Sequence, residues 1–461
     1  MSRLGEGRVS SGGAGLSPVS IMFVIVSFAL TAFGVLMIYS ASSIMAMTSA
    51  DSNFNHAFYA THQLEYAFVG LVLAVIIALF DYHLWAKRLV LLIWVGEVAL
   101  LGLVFTSLAG HDALGASRWI RIGSFGLQPS EFAKPTLILT AASLIECFGG
   151  NGDFDWRSMW VHAAIGLLLP LLLIIKQPDK GTVAIIGLTV IIMLFLAGAP
   201  LSLIGFVVVI GVLGILALAL KDSYSRARVM TAFDPWRDPY GDGYQLIQGF
   251  YAFGSGGLFG VGLGMSRQKY NYLPMAHNDF IFAVIGEELG LVGTVGMLAA
   301  FVFLIWLGFR IASDAPDLTG RLIASGCVSL MALQLLVNVG GVLGIIPLSG
   351  KPIPFISYGG SSIMSTLIMV GLVLSVARSS TAAGAQRVGM RLVDGQDHGG
   401  LRVFEGGASR SPQGLRGSRD LSETHAGARV SYNANGTRRV DLGPSATDRL
   451  RSRGTDRGGR G

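Results

Sequence analysis

The sequence predicts an all-α integral membrane protein, a bundle of about ten transmembrane helices. Three observations carry that expectation. Of 461 residues, 52% are hydrophobic and 13% charged, about half the charged share of a soluble globular domain. The mean hydropathy is +0.60. Apolar runs near the length a bilayer requires, about 20 residues, recur at roughly 19–41, 63–80, 88–109, 131–149, 159–176, 181–199, 201–220, 279–309, 320–346 and 360–378.

The first run is too long for the apolar core of a signal peptide and lacks a cleavage site, so it reads as a retained span. Residues 1–17 are Gly/Ser-rich with Arg3 and Arg8 and read as a flexible cytoplasmic lead. Residues 19–378 form the membrane domain. The composition changes at Ser379. From there to residue 461 the chain is rich in Gly, Ser and Arg and poor in large apolar groups. Such a segment cannot bury enough surface to fold, so a disordered basic cytoplasmic tail is expected. An even number of spans puts both termini on one side, and their arginines favour the cytoplasm. Cys147 and Cys327 both lie in apolar segments and read as small packing residues rather than a disulfide or metal pair.

The longest connection, residues 221–278, then lies outside the cell between the seventh and eighth spans. Its Asp-Pro steps and glycines demand turns, and Tyr244–Phe253 has helical apolar spacing. It reads as an ordered loop packed on the outer face. Its glycine-rich part lacks the βαβ context of a nucleotide site. The outer connections keep many cations: Arg118, Arg121, Lys176, Lys180, Arg226, Arg228, Arg237, Arg267, Lys269 and Lys351. Short outer loops normally shed them. An anionic ligand, phosphate above all, explains their presence. Loop solubility, or pairing with Asp222, Asp234, Asp238 and Asp242, explains it as well.

The chain is organised around 271–290, NYLPMAHNDFIFAVIGEELG, where a polar loop holding His277 runs into an apolar helix at Asp279. A carboxylate at the mouth of a membrane helix loses hydration and marks a candidate functional site. Asp is also a good N-cap, and the two roles are compatible. Three other places set charge among apolar residues. Pro129 and Ser130 start a helix with Glu131 and Lys134 at i, i+3, close enough to pair and enter a low-dielectric site together. Arg118 precedes this helix beside Trp119, an interface anchor. Asp179, in the turn QPDKGT, caps the next helix or points into a shared cavity. The stretch LSGKPIPFISYGGSS contains Lys351, Ser357 and Tyr358, and irregular backbone near a bilayer must be buried in protein or line a watery cavity. Gln334 and Asn338 line that cavity or bond neighbouring helices. Glu97 sits mid-span with no evident partner.

Together the ordered motifs GASRWI, QPSEFAK, QPDKGT, DPYGDGYQLIQ, AFGSGG, GLGMSRQKYNYLP, AHNDFIFAVIGEELG and KPIPFISYGGSS resemble the SEDS family of FtsW/RodA peptidoglycan glycosyltransferases, most closely the division branch. The resemblance covers nearly all of 19–378 and makes that segment the catalytic domain. It implies polymerisation of lipid II, a disaccharide-pentapeptide on undecaprenyl pyrophosphate, into glycan strands at the outer face of the cytoplasmic membrane and at the division septum. It implies a class B penicillin-binding protein as transpeptidase partner, other divisome proteins beside it, and no nucleic acid. The family's essential aspartate falls on Asp279 and its Glu/Lys pair on Glu131 and Lys134. Met275 and Asn278 depart from the family's usual Glu and Thr, and Lys180 replaces a usually apolar residue.

The chemistry this requires is attack of a sugar hydroxyl on an anomeric carbon as lipid pyrophosphate leaves. Asp279 is the expected general base. Substrate contacts are expected from Arg118, Glu131, Lys134, Asp179, Arg237, Lys269, His277, Lys351, Ser357 and Tyr358. The leaving pyrophosphate needs positive charge from Arg and Lys or from a divalent cation, Mg or Mn. No organic cofactor is expected. One carboxylate with direct displacement predicts inversion. Two rival readings are a lipid II flippase, which needs no base, and a non-catalytic scaffold that recruits a transpeptidase.

Overall fold

The computed structural model describes residues 16–49, 52, 54–106, 110–113, 116–122, 125–149, 156–221 and 223–394, with short segments at 424–425, 428–432 and 438–442. Apart from its last two residues, the expected lead at 1–17 lies outside this set. Each expected span coincides with helix. These are α1 (Pro18–Thr48), α2 (Phe58–Leu79), α3 (Val90–Leu103), α4 (Pro129–Gly149), the pair α5 (Trp156–Ala163) and α6 (Leu169–Lys176) joined by a wide π-type turn, α7 (Lys180–Leu196), α8 (Leu201–Lys221), α11 (Ile281–Ser313), α12 (Leu318–Val342) and α13 (Gly360–Asp394). Among the described residues six helical segments are long and apolar enough to cross a membrane: Pro18–Thr48, Phe58–Leu79, Arg157–Lys176, Ile281–Ser313, Leu318–Val342 and Gly360–Thr381. Three shorter apolar helices accompany them at Val90–Leu103, Lys180–Leu196 and Leu201–Gly214. The remaining one, α4, is diluted by Glu131, Lys134 and Glu146. The chain is a multi-pass membrane protein.

Three local departures from expectation have sequence causes. The connection before α4 is a small antiparallel sheet of β1 (Gly110–Ala113), β2 (Ala116–Ile122) and β3 (Phe125–Leu127), with Trp119 opposite His111 and Ile120 opposite Leu127. The alternation Arg118, Trp119, Ile120, Arg121, Ile122 favours an extended strand. The long connection contains α9 (Ser223–Phe233) and α10 (Tyr244–Gly256), the latter where the apolar spacing placed it. The tail reading is corrected at its start, because α13 runs past Ser379 to Asp394. The sequence TAAGAQRVGMRLVD there holds three Ala and two Arg, which favour helix, and no proline to stop it. A separate unit, His398–Gly461, holds three short antiparallel strands, β4 (Thr424–His425), β5 (Ala428–Tyr432) and β6 (Arg438–Leu442).

Chain direction brings the C-terminal ends of α1, α3, α6 and α12 together with the N-terminal ends of α2, α4, α7, α11 and α13. Direct bonds between these ends confirm it: Ser40 to Glu288, Gln177 to the Leu101 carbonyl and Gln334 to the Pro352 carbonyl. At the opposite end His83 lies 2.6 Å from Asp81 and 2.7 Å from Asp317, which caps α12 through the Gly320 N–H. Cys147 and Cys327 are both free.

The irregular loop 351–359 presses against α1. Phe355 is buried with φ at 66°, an uncommon region for a side chain of this size. A Cβ on Gly34 would stand 2.3 Å from the Phe355 carbonyl oxygen. Gly34→Ala is therefore expected to destabilise the protein by about 1–3 kcal/mol through overpacking, read as a lowered melting temperature in detergent.

Candidate active site

Asp279 lies two residues before α11 and does not cap it. The N-cap position belongs to Phe280, and no side chain closes that end. The capping explanation therefore drops out. The carboxylate is half-buried. The position a Cβ of Gly350 would take is 3.3 Å from Asp279 Oδ2 and 3.7 Å from Arg228 Nη1, so both groups line the space beside Gly350. Lost hydration raises the Asp279 pKa above the ordinary carboxylate value. Lys351 and Arg228 pull it down without overcoming that. The Asn338 amide holds the backbone by donating to the carbonyls of Asp279 (2.8 Å) and Lys351 (2.7 Å).

Lys351 and Asp179 form the neighbouring pair. Lys351 Nζ is 2.6 Å from Asp179 Oδ1, and both residues are buried. Asp179 Oδ2 accepts from Ser130 Oγ (2.7 Å), Thr182 Oγ1 (3.0 Å) and Gln128 Nε2 (3.3 Å). The Thr182 N–H donates to Oδ1, so Asp179 also caps α7. Of the two roles the sequence left open, it fills the cap, and its other oxygen is taken up by buried donors. Burial alone would raise its pKa, but Lys351 and the hydroxyl donors hold it well below the usual range.

Behind this pair lies a second one. Lys134 Nζ is 2.6 Å from Glu131 Oε2 and 2.7 Å from Gln334 Oε1, with both charged residues 1% exposed. Gln334 in turn donates to the Pro352 carbonyl. Pro135 has no N–H to offer the Glu131 carbonyl, and Ser365 of α13 donates to it at 2.7 Å instead. The Glu131–Lys134 pair is thus a buried brace beneath the site.

The other predicted residues divide. Arg118 donates to the carbonyls of Gln177 and Pro178 at 2.9 Å and ties β2 to the turn that carries Asp179. Ser357 accepts from the Ile353 N–H within its own loop. His277, Tyr358 and Tyr59 form an aromatic cluster with ring centres 4.6–5.5 Å apart. Burial lowers His277 to about 4, so it is neutral at physiological pH. Arg237 is exposed, with Nη1 3.7 Å from the Met230 sulfur. The Lys269 ammonium is held by Glu288 and the Gly264 carbonyl. Neither is seen in contact with the Asp279 cluster. Glu97 is buried, and its Oε1 has no hydrogen-bond partner among the described residues.

Arg228 is the residue that sequence reasoning did not single out. It was one cation among ten in the outer connections. Its Nη1 donates to the Leu348 carbonyl at 2.7 Å. It also lines a cavity of about 330 Å³ with Thr231, Asp242, Gln245, Pro274 and Leu348. No local signal marks it. Only the fold of α9 against the 346–350 segment brings it beside Asp279.

The charges that act on the Asp279 carboxylate are those of the cations Lys351 and Arg228. No group of three or more His, Cys, Asp or Glu side chains that could hold a metal ion occurs among the described residues.

Fold and site together define a polytopic membrane protein with a buried carboxylate–cation centre at one end of its bundle. The chain belongs to the FtsW/RodA/SpoVE family, whose model, described as "Cell cycle protein", matches residues 20–382. It is 40% identical to stage V sporulation protein E of Bacillus subtilis over 363 residues, 78% of this chain and 97% of that protein. It is also 40% identical to a probable peptidoglycan glycosyltransferase FtsW of Geobacter metallireducens over 357 residues, 77% and 94% of the two chains. A solved structure described as "structural coordination of polymerization and crosslinking by a peptidoglycan synthase complex" is similar, with TM-score 0.62, 28% identity and coverage of 78% and 98%. So is the rod shape determining protein RodA of Thermus thermophilus, with TM-score 0.56, 27% identity and coverage of 77% and 96%.

Proposed function

We propose that this chain is an inverting peptidoglycan glycosyltransferase that polymerises lipid II, with Asp279 as general base. The observation that carries the reading is a carboxylate at a helix mouth that caps nothing, sits half-buried and feels the charges of Arg228 and Lys351, with Arg228 itself lining a cavity. Family membership and the names of the relatives supply the substrate class. In the reaction, the acceptor sugar hydroxyl attacks the anomeric carbon of the donor. Its proton passes to the Asp279 carboxylate, a new glycosidic C–O bond forms, and the bond to the lipid pyrophosphate breaks. Direct displacement turns an α-linked donor into a β-linked product. Arg228 is the cation placed to meet the leaving pyrophosphate, because a guanidinium has five donors and matches phosphate oxygens in pairs. Lys351 is turned to Asp179 and Lys134 to Glu131. These two set the field at the site rather than release their partners to bind substrate.

The polymerising end would face outward, with both termini in the cytoplasm and the protein working at the division septum. Its partners would be a class B penicillin-binding transpeptidase and other divisome proteins. The similar peptidoglycan synthase complex supports an assembly of this kind. The test is incubation of purified lipid II with the full chain co-purified with its cognate transpeptidase. Long glycan strands are expected. Lipid II translocated across vesicles with no polymer formed would replace this reading with a flippase. Neither activity, with transpeptidase recruitment intact, would leave a scaffold.

A further inference from the structure

α11 is not one continuous helix. Gly290 has φ 66° and ψ −164°, which divides it into Ile281–Leu289 and a longer second part. In an unbroken helix the carbonyls of Glu287 and Glu288 would accept from the N–H groups of Leu291 and Val292. Here Glu287 O accepts from Val261 N (2.9 Å) and Glu288 O from Gly262 N (3.0 Å). The freed N–H groups of Leu291 and Val292 donate to the carbonyls of Gly257 and Leu258 at 2.9 and 3.1 Å. The segment 257–262 is therefore spliced into the break and satisfies all four groups. Gly260 has φ 81°, and a Cβ there would stand 2.1 Å from the Glu288 carbonyl oxygen, so the splice requires glycine.

The side chains at the break extend the same join. Glu287 and Glu288 are fully buried. Glu287 accepts from the Ser266 hydroxyl, the Arg267 N–H (2.9 Å), the Ser255 hydroxyl (3.3 Å) and the Gln268 N–H (3.4 Å). Both oxygens of Glu288 lie 2.7 Å from Ser40 Oγ of α1, and Oε1 lies 3.4 Å from Lys269 Nζ and from the Ser266 N–H. Removing charge from water is expensive, and well-packed apolar residues often stabilise as much or more. Stability alone thus does not explain two adjacent buried carboxylates. Geometry does. Ile281–Leu289 is nine residues long, about 14 Å of helix. Asp279 stands at one end of it. The root of the loop that delivers Asp279 is fastened at the other.

We infer that Glu287, Glu288 and Lys269 are positioning residues. They lock residues 255–269 to the short first part of α11 and to α1, and so fix where Asp279 stands. Lys269 acts through Glu288 and does not touch substrate. The inference rests on the reading of Asp279 as the base.

The experiment compares Glu288→Gln, Lys269→Met, the double variant and Asp279→Asn. Polymerisation of lipid II is followed as kcat and KM separately, and amide hydrogen exchange is read over 255–280. Displacing a catalytic group by about 1 Å can lower the rate about 100-fold. Each single variant is therefore expected to lose about 10- to 100-fold in kcat with KM held within about threefold. Exchange should quicken over 255–280 and not across the other helices. The double variant should fall no further than the worse single one, since both changes break the same contact. It also leaves neither member of the Lys269–Glu288 pair charged without the other, so it serves if a single variant fails to fold. A Lys269→Met effect confined to KM, additive with Glu288→Gln, would overturn the inference and return Lys269 to the substrate. Unchanged kcat in both single variants would overturn it as well. Full activity in Asp279→Asn would remove the underlying reading and the inference with it, and that failure appears in a different variant.

Discussion

Asp279→Asn is expected to lower lipid II polymerisation by about 10²–10⁴-fold, the usual contribution of a positioned general base. The fold should survive. The carboxylate does not cap α11, and the interaction that fixes residue 279 is the Asn338 amide on its backbone carbonyl. Asparagine keeps both the size and that carbonyl. The melting temperature should therefore stay near wild type while the rate collapses, which separates a chemical role from a structural one. The pH profile supplies an independent check. Burial raises Asp279 above the ordinary carboxylate pKa, about 3.9, with Lys351 and Arg228 opposing. A base must be ionised to act, so activity should fall on the acid side at a pH above that ordinary value. Arg228→Gln removes one of the opposing cations and should move the acid limb to higher pH, besides weakening the contact with pyrophosphate. An acid limb that stays put in Arg228→Gln would contradict the placement of Arg228 beside the base.

The sequence is informative where a single residue breaks a local rule. Asp279 stands out because a carboxylate opens an apolar helix. Glu131 and Lys134 stand out because i, i+3 spacing puts opposite charges on one face, and the structure pairs them. The spans are legible because burial in lipid leaves a run of apolar residues that needs no partner to be recognised. What the sequence does not show is who neutralises whom. Lys351 meets Asp179 across 172 positions of chain, and Lys134 meets Gln334 across 200. No local pattern encodes such pairings. Lys269 looks like a phosphate cation in sequence because its partner, Glu288, lies inside what reads as one uninterrupted helix. The break at Gly290 is invisible there, since glycine is common in membrane helices. Arg228 is missed for the opposite reason. It sits in an unremarkable polar stretch, and only the return of the 346–350 segment gives it a role.

Lys351→Met is expected to have the largest effect on stability. Breaking a buried ion pair by removing one partner costs about 3–5 kcal/mol, because the remaining charge is left without compensation. In wild type Asp179 is held below its ordinary pKa, so the unfolded chain binds the proton more readily. Stability from this carboxylate is present above about pH 3.9 and is lost as the pH falls below it. Without Lys351, burial of Asp179 is opposed by its hydroxyl and amide donors and by the charge of Lys134, which stays paired with Glu131. Its folded pKa should then rise above the unfolded value, and the sign reverses. The variant should be least stable at neutral pH and regain stability on acidification, as the buried carboxylate takes up a proton. Lys351→Met/Asp179→Asn removes both charges and should recover most of the lost stability. It should not recover the rate, because Asp279 still lacks one of the two cations that favour its ionised form. Melting curves from pH 4 to 8 for the three proteins decide the matter. A single variant whose stability stays level across that range, as the Asp179 contribution does in wild type, would mean that the remaining donors suffice to keep Asp179 ionised.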